Sequence, residues 1–286
     1  MTKINQNSVP SLHIPKAIRY TAKLLEAISP KLATRFAAFL FTTPIKHKIP
    51  KREWQMLANS TKERLIIPSL KKEIQMYSYG TGSRNILLVH GWSGRGTQMV
   101  KIADAFIEKG FKIISFDAPA HGKSTGRSTL MPEFIESIFE IEKKYGPFEY
   151  AIGHSLGGMS LLNVLKQGFP IKKAIIIASG DIIQDIIDDF VLKLHLKPNI
   201  GLKLKAYFER KSYGSMESYA SHFNADKISI PLLLIHDEND TDVPVKAAYH
   251  IHSFISQSEL YITNGLGHRK ILGDKKVIQK CLDYLN

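Results

Sequence analysis

The sequence is poor in cysteine and has no long apolar run. Cys281 is the single cysteine among 286 residues, so an internal disulfide bond is impossible, which suits a reducing compartment. The surrounding segment VIQKCLDYL has helical apolar periodicity, and we expect a buried helix residue there rather than a reactive thiol. The first fifteen residues contain no continuous apolar stretch, and the run FAAFLF at 36–41 is too short to span a bilayer. We therefore expect that the protein has no secretory signal and resides in the cytoplasm.

The sequence also lacks the usual patterns of metal and nucleotide sites. Neither H-E-x-x-H nor a cysteine-rich pattern occurs, and His250 and His252 are spaced to face different directions on a predicted helix. The stretch GWSGRGTQ resembles a phosphate-binding loop but has no lysine after its last glycine. We expect no metal, no cofactor and no nucleoside triphosphatase activity.

Acidic residues are scarce in the first quarter of the chain. The formal net charge is +13, and residues 1–73 hold 14 Lys and Arg against 4 Asp and Glu, whereas residues 226–286 hold 7 against 8. This basic segment could attract an anionic membrane surface, or it could simply be a solvated basic face. No nucleic-acid-binding motif accompanies it, so we expect no nucleic-acid partner.

Two amphipathic segments lie within this basic quarter and predict a helical hairpin. The first places five residues on one helical stripe: Ile14, Ala17, Thr21, Leu24 and Ile28. The second covers 31–41 and ends before two prolines. We interpret residues 1–73 as a basic N-terminal helical extension. Its hairpin could pack on the main domain, shield an entrance, or make a weak peripheral membrane contact through residues 14–41.

From residue 74 onward, apolar runs of strand length alternate with helical patterns. The predicted strands are 74–79, 86–90, 112–117, 149–153, 173–178, 231–236 and 259–263, and the predicted helices lie near 97–109, 131–145, 156–167, 245–255 and 275–285. The strand runs are continuously apolar, as expected where both faces of a sheet are covered. The pattern predicts an α/β domain over 74–286, with a mostly parallel central sheet flanked by helices.

One connection in this domain is much longer than a crossover requires. About fifty residues separate the predicted strands at 173–178 and 231–236. The helical periodicity that begins at residue 182 predicts a mostly helical insertion at about 181–225.

The stretch YAIGHSLGGMS contains the pattern G-x-S-x-G centred on Ser155. It follows a buried-type strand and precedes a helix, which is the placement required for a nucleophile elbow. Gly153 and Gly157 would let neighbouring backbone approach the strained serine closely. The alternative is a tight turn without chemistry.

A serine nucleophile needs a base and an acid that orients the base. Asp240 and His268 each lie in a loop that follows a predicted strand, at the sheet edge that also carries Ser155. Acyl transfer also needs oxyanion donors, for which the candidates are the backbone N–H groups of Leu156 and Trp92.

The chain from about residue 75 to its end resembles the α/β-hydrolase superfamily. The matching pieces, in family order, are LLVHGWSG, FDAPAHGKST, AIGHSLGGMS, LLLIHDENDTDVP and NGLGHRK. The resemblance implies Ser155 as nucleophile, Asp240 as acid and His268 as base, and it implies a helical cap at 181–225. The acid loop departs from the family because Asp237 stands where a glycine is usual. Asp237 and Asp242 are therefore rival acids, although the D-x-x-V-P spacing favours Asp240.

Three further histidines occupy positions that the family commonly fills. His90, His121 and His154 are expected to make hydrogen bonds within loops, without a direct part in proton transfer. We predict a serine hydrolase that cleaves a carboxylic ester or a related acyl bond of a small molecule through an acyl-enzyme. The alternatives are a thioesterase, an acyltransferase, an amidase or peptidase, or a hydrolase-like binding module that docks through its basic hairpin. The sequence leaves the oligomeric state open.

Overall fold

The computed structural model describes residues 14–285, apart from the side chains at positions 212 and 213. Eight strands form one sheet: β1 (Thr61–Ile67), β2 (Lys72–Tyr79), β3 (Arg84–Val89), β4 (Phe111–Asp117), β5 (Tyr150–His154), β6 (Lys173–Ile177), β7 (Leu232–Asp237) and β8 (Ser258–Thr263). Their order across the sheet is β1-β2-β4-β3-β5-β6-β7-β8. The pairs β1–β2 and β2–β4 are antiparallel and the others are parallel, so the predicted mostly parallel sheet is confirmed.

Helices flank this sheet. They are α1 (Lys16–Ile28), α2 (Pro30–Thr42), α3 (Trp54–Asn59), α4 (Val100–Glu108), α5 (Met131–Tyr145), α6 (Leu156–Leu165), α7 (Ile183–Lys193), α8 (Asn199–Phe208), α9 (Lys246–Phe254), α10 (Gly267–Lys270) and α11 (Lys275–Leu285). Within residues 14–285, none of them is long and apolar enough to cross a membrane. Cys281 is fully buried in α11, as the sequence predicted, and burial raises the pKa of its thiol to about 12.

The inner strands β3 to β7 are rich in apolar residues because both faces of the sheet are covered there. Leu87 and Val89 of β3 contribute to the core on one face, which also contains α5 and α6. Ile86 and Leu88 of the same strand contribute to the core on the other face, with α4 and α11. Successive side chains of a strand point to opposite faces, so each of these residues meets a helix layer.

The structure differs from the predicted helical extension over the last part of residues 1–73. Residues 61–67 form strand β1, which pairs antiparallel with β2 along one edge of the sheet. Only Ile67 of this strand is buried, and its sequence TKERLII has no apolar alternation. An edge strand needs only backbone hydrogen bonds on one side, and charged side chains protect such an edge from further pairing. Residues 1–13 of the predicted extension, which also include most of the stretch inspected for a secretory signal, lie outside the described residues.

Helices α1 and α2 form the predicted hairpin, but the predicted stripe of α1 does not face the core. Ala17, Thr21, Leu24 and Ile28 are exposed, and α1 packs instead through its opposite side, where Ala22 is fully buried. The periodicity therefore identified the helix correctly and its buried face incorrectly.

The hairpin packs against the insertion that lies between β6 and β7. This insertion contains α7 and α8. The ring of Phe41 on α2 contacts Phe190 on α7 and Phe208 on α8, at centroid distances of 5.2 and 5.7 Å. Glu26 on α1 accepts a hydrogen bond from the backbone N–H of Lys197, which precedes α8. The N-terminal helices and the insertion thus form one continuous layer.

Candidate active site

Ser155 lies at the turn between β5 and α6 in a backbone conformation that non-glycine residues rarely adopt. Its φ and ψ are 55° and −122°, and its N–H donates to the carbonyl oxygen of Ile177 at 2.9 Å. A Cβ on Gly157 would overlap the carbonyl oxygen of Val89, and one on Gly153 would lie 2.7 Å from that of Gly157. The two glycines therefore allow the close backbone approach that this strained turn requires.

Asp240 and His268, from the loops after β7 and β8, meet at the same edge of the sheet. Nδ1 of His268 lies 2.7 Å from Oδ2 of Asp240, whose side chain is fully buried. The other carboxylate oxygen accepts the backbone N–H groups of Asp242 and Val243 at 2.8 and 2.9 Å. These bonds fix the carboxylate, and the carboxylate in turn orients the imidazole.

The surroundings of Asp240 keep its carboxylate ionised. Burial by itself raises the pKa of this group, but hydrogen bonds from His236 and His268, together with the charge of His268, hold the pKa well below its usual range. An ionised carboxylate can only accept, so Nδ1 of His268 carries the shared hydrogen. The other ring nitrogen, Nε2, is then left with a lone pair that can receive a proton.

The two rival acids occupy different positions from Asp240. Asp237 accepts the hydroxyl of Thr263 at 2.7 Å and the N–H groups of Leu266 and Gly267 at 3.0 and 2.9 Å. It thereby holds the loop that leads to His268. Asp242 lies within 4.8 Å of Asp240 and His268, but the hydrogen bond to Nδ1 is made by Asp240.

The loop after β3 is held against Ser155 by two of the three predicted loop histidines. His90 donates from Nδ1 to the carbonyl oxygen of Gly91 at 2.7 Å and accepts the N–H of Ala118 at Nε2. His121 accepts the N–H of Ser93 at 3.0 Å. A Cβ on Gly91 would lie 2.9 Å from Cβ of Ser155, which shows how closely the loop approaches.

Two backbone N–H groups beside Ser155 are available for a ligand. Among the hydrogen bonds of residues 14–285, none is donated by the N–H of Trp92 or of Leu156. Both residues line the same cavity as Ser155 and His268. Donors placed beside the nucleophile can stabilise the negative charge that develops on an attacked carbonyl oxygen.

His154, the third loop histidine, is hydrogen-bonded to the backbone of His268. Its Nε2 donates to the carbonyl oxygen of His268 at 2.9 Å, and the two rings lie 4.7 Å apart. Burial, reinforced by the charge of His268, lowers the pKa of His154 to about 3. A neutral His154 therefore supports the backbone at His268.

Ser155 and His268 open into a large and mainly apolar cavity of about 1460 Å³. Its apolar walls come from the hairpin, from the insertion and from α5 and α6: Ile14, Ile18, Leu40, Phe41, Met131, Met159, Ile183, Ile186 and Phe190. Most small-molecule sites occupy roughly 300–1,000 Å³. Helical periodicity alone did not reveal that the N-terminal hairpin lines this cavity, because the contact depends on where the hairpin docks.

Basic side chains surround the cavity beside the loop after β3. Arg95 donates to the carbonyl oxygen of Lys48 at 3.1 Å and lies 3.8 Å from Glu53, so it is paired with an acid. Burial and the charges of Arg269 and Arg95 lower the pKa of His47. Three separate chain segments, residues 47–53, the loop after β3 and α10, therefore contribute cationic or titratable groups to this part of the wall.

Sequence reasoning missed a second polar cluster at the cavity. Asp181 lies four residues after the end of β6, and its carboxylate is 2.8 Å from Nδ1 of His222 and 2.5 Å from Nδ1 of His250. The ring of Phe254 packs on both imidazoles. The cluster joins the end of the insertion to α9. An acid a few residues after a buried strand was its only sequence signal.

Two groups within residues 14–285 have the donors and spacing that a metal ion would require. One consists of Asp181, His222 and His250, and the other of Asp240, Asp242 and His268. In both groups the carboxylate and an imidazole nitrogen are within hydrogen-bond distance of each other. The hydrogen bonds account for both arrangements without an ion.

Comparisons with known proteins identify the fold. A family model described as the alpha/beta hydrolase fold matches residues 84–215. A curated relative, the lysophosphatidylserine lipase ABHD12 of Danio rerio, is 24% identical over 200 residues, which is 66% of this chain and 52% of that protein. The chain thus matches about half the length of that relative.

Solved structures of esterases share the fold at low sequence identity. The esterase EaEST from Exiguobacterium antarcticum has a TM-score of 0.63 and 17% identity, covering 79% of this chain and 99% of that one. The Pyrococcus furiosus esterase Pf2001 has a TM-score of 0.66 and 15% identity, covering 85% and 97%. Together with the family match over residues 84–215 and the eight-stranded, mostly parallel sheet, these similarities show that the chain has the α/β-hydrolase fold, and they support its placement in that superfamily.

Proposed function

We propose that the chain is a serine hydrolase that cleaves a carboxylic ester, or a related acyl bond, through an acyl-enzyme intermediate. The observation that carries this proposal is the 2.7 Å contact between His268 and the buried Asp240, at a cavity that also exposes the strained Ser155. A hydroxyl, a base and an ionised acid at one sheet edge are what acyl transfer to serine requires. The esterases and the lipase among the similar proteins support the same reaction class.

In the proposed first half-reaction, Oγ of Ser155 attacks the carbonyl carbon of the substrate. Nε2 of His268 takes the hydroxyl proton, and Asp240 stabilises the imidazolium that forms. The oxygen of the tetrahedral intermediate receives hydrogen bonds from the N–H groups of Trp92 and Leu156. The intermediate collapses when the bond to the leaving alcohol breaks, and His268 returns its proton to that alcohol oxygen.

In the proposed second half-reaction, water attacks the acyl carbon of the ester on Ser155. His268 removes a proton from the water, the bond between the acyl carbon and Oγ breaks, and the proton passes to Oγ. The carboxylic acid is released and the free serine is restored. Each step uses groups of this chain and water.

The cavity favours a substrate with a long apolar acyl group. Its volume exceeds that of most small-molecule sites, and its walls are mainly aliphatic and aromatic. We propose that the insertion at 181–225 acts with the hairpin as a cap over this acyl group. A thioester or an amide could be attacked by the same machinery, and so could an ester whose acyl group passes to an acceptor other than water.

Replacing the nucleophile tests the proposal directly. Ser155→Ala is expected to lower kcat for short p-nitrophenyl esters by roughly 10⁴-fold or more, because no other hydroxyl replaces the attacking atom. It should also abolish labelling by a fluorophosphonate probe, which peptide mapping should otherwise locate at Ser155. A panel with one acyl chain in ester, thioester and amide linkage then ranks the reaction classes.

The matched control is Ser69→Ala, which removes an exposed hydroxyl that contacts Glu136. This variant should retain full activity and full labelling. If Ser155→Ala keeps its circular dichroism spectrum and also keeps full activity, the proposed mechanism is wrong.

A further inference from the structure

The hairpin carries an exposed apolar stripe that its packing against the protein does not use. Tyr20, Leu24 and Ile28 on α1 are 72%, 63% and 65% exposed. They are spaced four residues apart, so they lie along one side of the helix. On α2, Phe39 is 62% exposed and Leu32 is also exposed. Large apolar side chains grouped on one surface in this way usually mark a contact with a partner or a membrane.

The opposite side of the hairpin is already occupied. Ala22 and Ala33 are fully buried between the helices and the core. Ile18 and Phe41 line the active-site cavity. The exposed stripe is therefore an additional apolar face, and the fold of residues 14–285 leaves it in contact with solvent.

Basic side chains flank this stripe. Four of them are exposed: Lys16 and Lys23 on α1, and Lys31 and Arg35 on α2. The two helices contain five basic residues and one acid, Glu26, which is bound to a backbone N–H. An exposed apolar ridge with lysine and arginine along its margins is the composition of helices that lie in the interface of an anionic bilayer.

We propose that the α1–α2 hairpin docks on the surface of an anionic lipid bilayer. The side chains of Tyr20, Leu24, Ile28 and Phe39 enter the interfacial region, and the flanking lysines and arginine contact lipid phosphates and carboxylates. A protein partner would not need basic residues beside its apolar contacts, whereas an anionic lipid surface matches the exposed basic residues that accompany the stripe, Lys16 and Lys23 on α1 and Lys31 and Arg35 on α2.

Docking of the hairpin in this way would also place the cavity close to the membrane. The hairpin is the layer that separates the exposed stripe from the cavity, since its inner residues form part of the wall. A docked hairpin therefore holds the cavity within a helix diameter of the bilayer surface. The proposal does not depend on the catalytic step, because binding to vesicles is measured without a substrate.

Sedimentation of the full chain with vesicles tests the proposal. The protein should sediment with phosphatidylcholine vesicles that contain phosphatidylserine, and much less with pure phosphatidylcholine vesicles. Raising the salt concentration from 0.1 to 1 M should weaken binding, because the screening length falls from about 10 Å to about 3 Å. Each of Lys16→Gln, Lys23→Gln and Lys31→Gln should weaken it by about fivefold.

The apolar contribution is tested by the double variant Leu24→Ser/Ile28→Ser. These side chains are exposed, so the variant should keep the wild-type melting temperature and its activity on a soluble ester, while vesicle binding falls by at least tenfold. Ile66→Ser on β1 is the matched control, because Ile66 is 64% exposed on a different part of the molecule. It should bind vesicles as the wild type does.

The proposal is wrong if the wild-type protein does not sediment with phosphatidylserine vesicles at low salt, or if the double variant binds them as tightly as the wild type. It is also wrong if the wild-type protein binds no vesicles but self-associates without lipid, and the Leu24→Ser/Ile28→Ser variant is monomeric. In that case a second copy of the chain covers the stripe.

Discussion

At the scale of single residues, two buried aspartates, one at the end of β7 and one in the loop that follows, have different roles. Asp240 contacts the imidazole of His268, whereas Asp237 uses its oxygens to hold the loop that carries this histidine. They are three residues apart in the chain, and both are acidic. Only the direction in which each side chain points separates an orienting acid from a structural one.

This difference predicts different consequences for the two amide variants. Asp240→Asn should lower kcat by roughly 10³–10⁴-fold, because the amide no longer accepts Nδ1–H with a full charge or stabilises the imidazolium. Asp237→Asn should mainly lower the free energy of unfolding, by about 1–3 kcal/mol, because one of its acceptor oxygens becomes a donor facing backbone N–H groups. Steady-state kinetics and urea unfolding measure the two effects.

The comparison is informative because each variant serves as the control for the other. If Asp237→Asn lost more kcat than Asp240→Asn while remaining folded, Asp237 would be the acid of the triad. Asp242→Asn provides a third measurement on the same loop and should retain most of the activity.

At the scale of elements, the insertion is joined to the main domain by a few polar contacts. Asp181 accepts hydrogen bonds from the backbone N–H and the ring of His222 and from the ring of His250 on α9. Lys166, which directly follows α6, reaches the same region and donates to the carbonyl oxygen of Ala220. Burial, opposed by the charge of Asp181, lowers the pKa of Lys166 to about 8.

Asp181→Asn is therefore expected to loosen the insertion. The amide can satisfy only part of the three hydrogen bonds, so the free energy of unfolding should fall by about 1–3 kcal/mol. Hydrogen exchange in residues 181–225 should become faster. Exchange in the central strands should change only as much as the lower free energy of global unfolding requires.

Asp189→Asn is a suitable control on α7. Its carboxylate pairs with Lys193 one turn later and is about half exposed. Exposed pairs of this kind contribute little, so the stability should change by less than about 0.5 kcal/mol. Equal effects of the two variants would show that the Asp181 cluster does not join the insertion to α9.

At the scale of the whole molecule, buried histidines shape the response to acid. Burial lowers the pKa of His90, His121 and His154, the last of them to about 3. In the unfolded chain these groups bind protons near their ordinary value of 6.5, whereas in the folded protein they stay neutral to a much lower pH. The unfolded state therefore binds more protons below about pH 6.5.

Stability should consequently fall as the pH drops below about 6.5. Each buried histidine contributes up to about 1.4 kcal/mol per pH unit, and for His154 this contribution continues until the pH approaches its folded pKa. Asp240 adds no loss in this range, because a lowered carboxylate pKa removes stability only below its ordinary value of 3.8. Urea unfolding at several pH values between about 7.5 and 4.5 measures the slope.

Replacing one of these histidines should reduce the slope of the free energy of unfolding against pH by the contribution of one titrating group. His154→Gln keeps an N–H donor for the carbonyl oxygen of His268 but cannot be protonated. If the pH slope of this variant equals that of the wild type, His154 is not held neutral in the folded protein.

Much of the fold and of the candidate site could be predicted from the sequence. Strands covered on both faces are mostly apolar, so β3 to β7 are visible in the sequence as apolar runs. A serine between two glycines, placed after a strand, marks the elbow because that turn excludes larger neighbours. Asp240 and His268 could be predicted because parallel strands bring their following loops to one edge.

Other features were decided only by the tertiary structure. Strand β1 is charged and exposed, so its pairing depends on the free edge of β2 rather than on any local pattern. The outward direction of Tyr20 and Leu24, the hairpin in the cavity wall, and the meeting of Asp181 with His222 and His250 all depend on how elements dock. Local periodicity records that a segment has an apolar face, but only docking decides whether that face meets the core, a cavity or solvent.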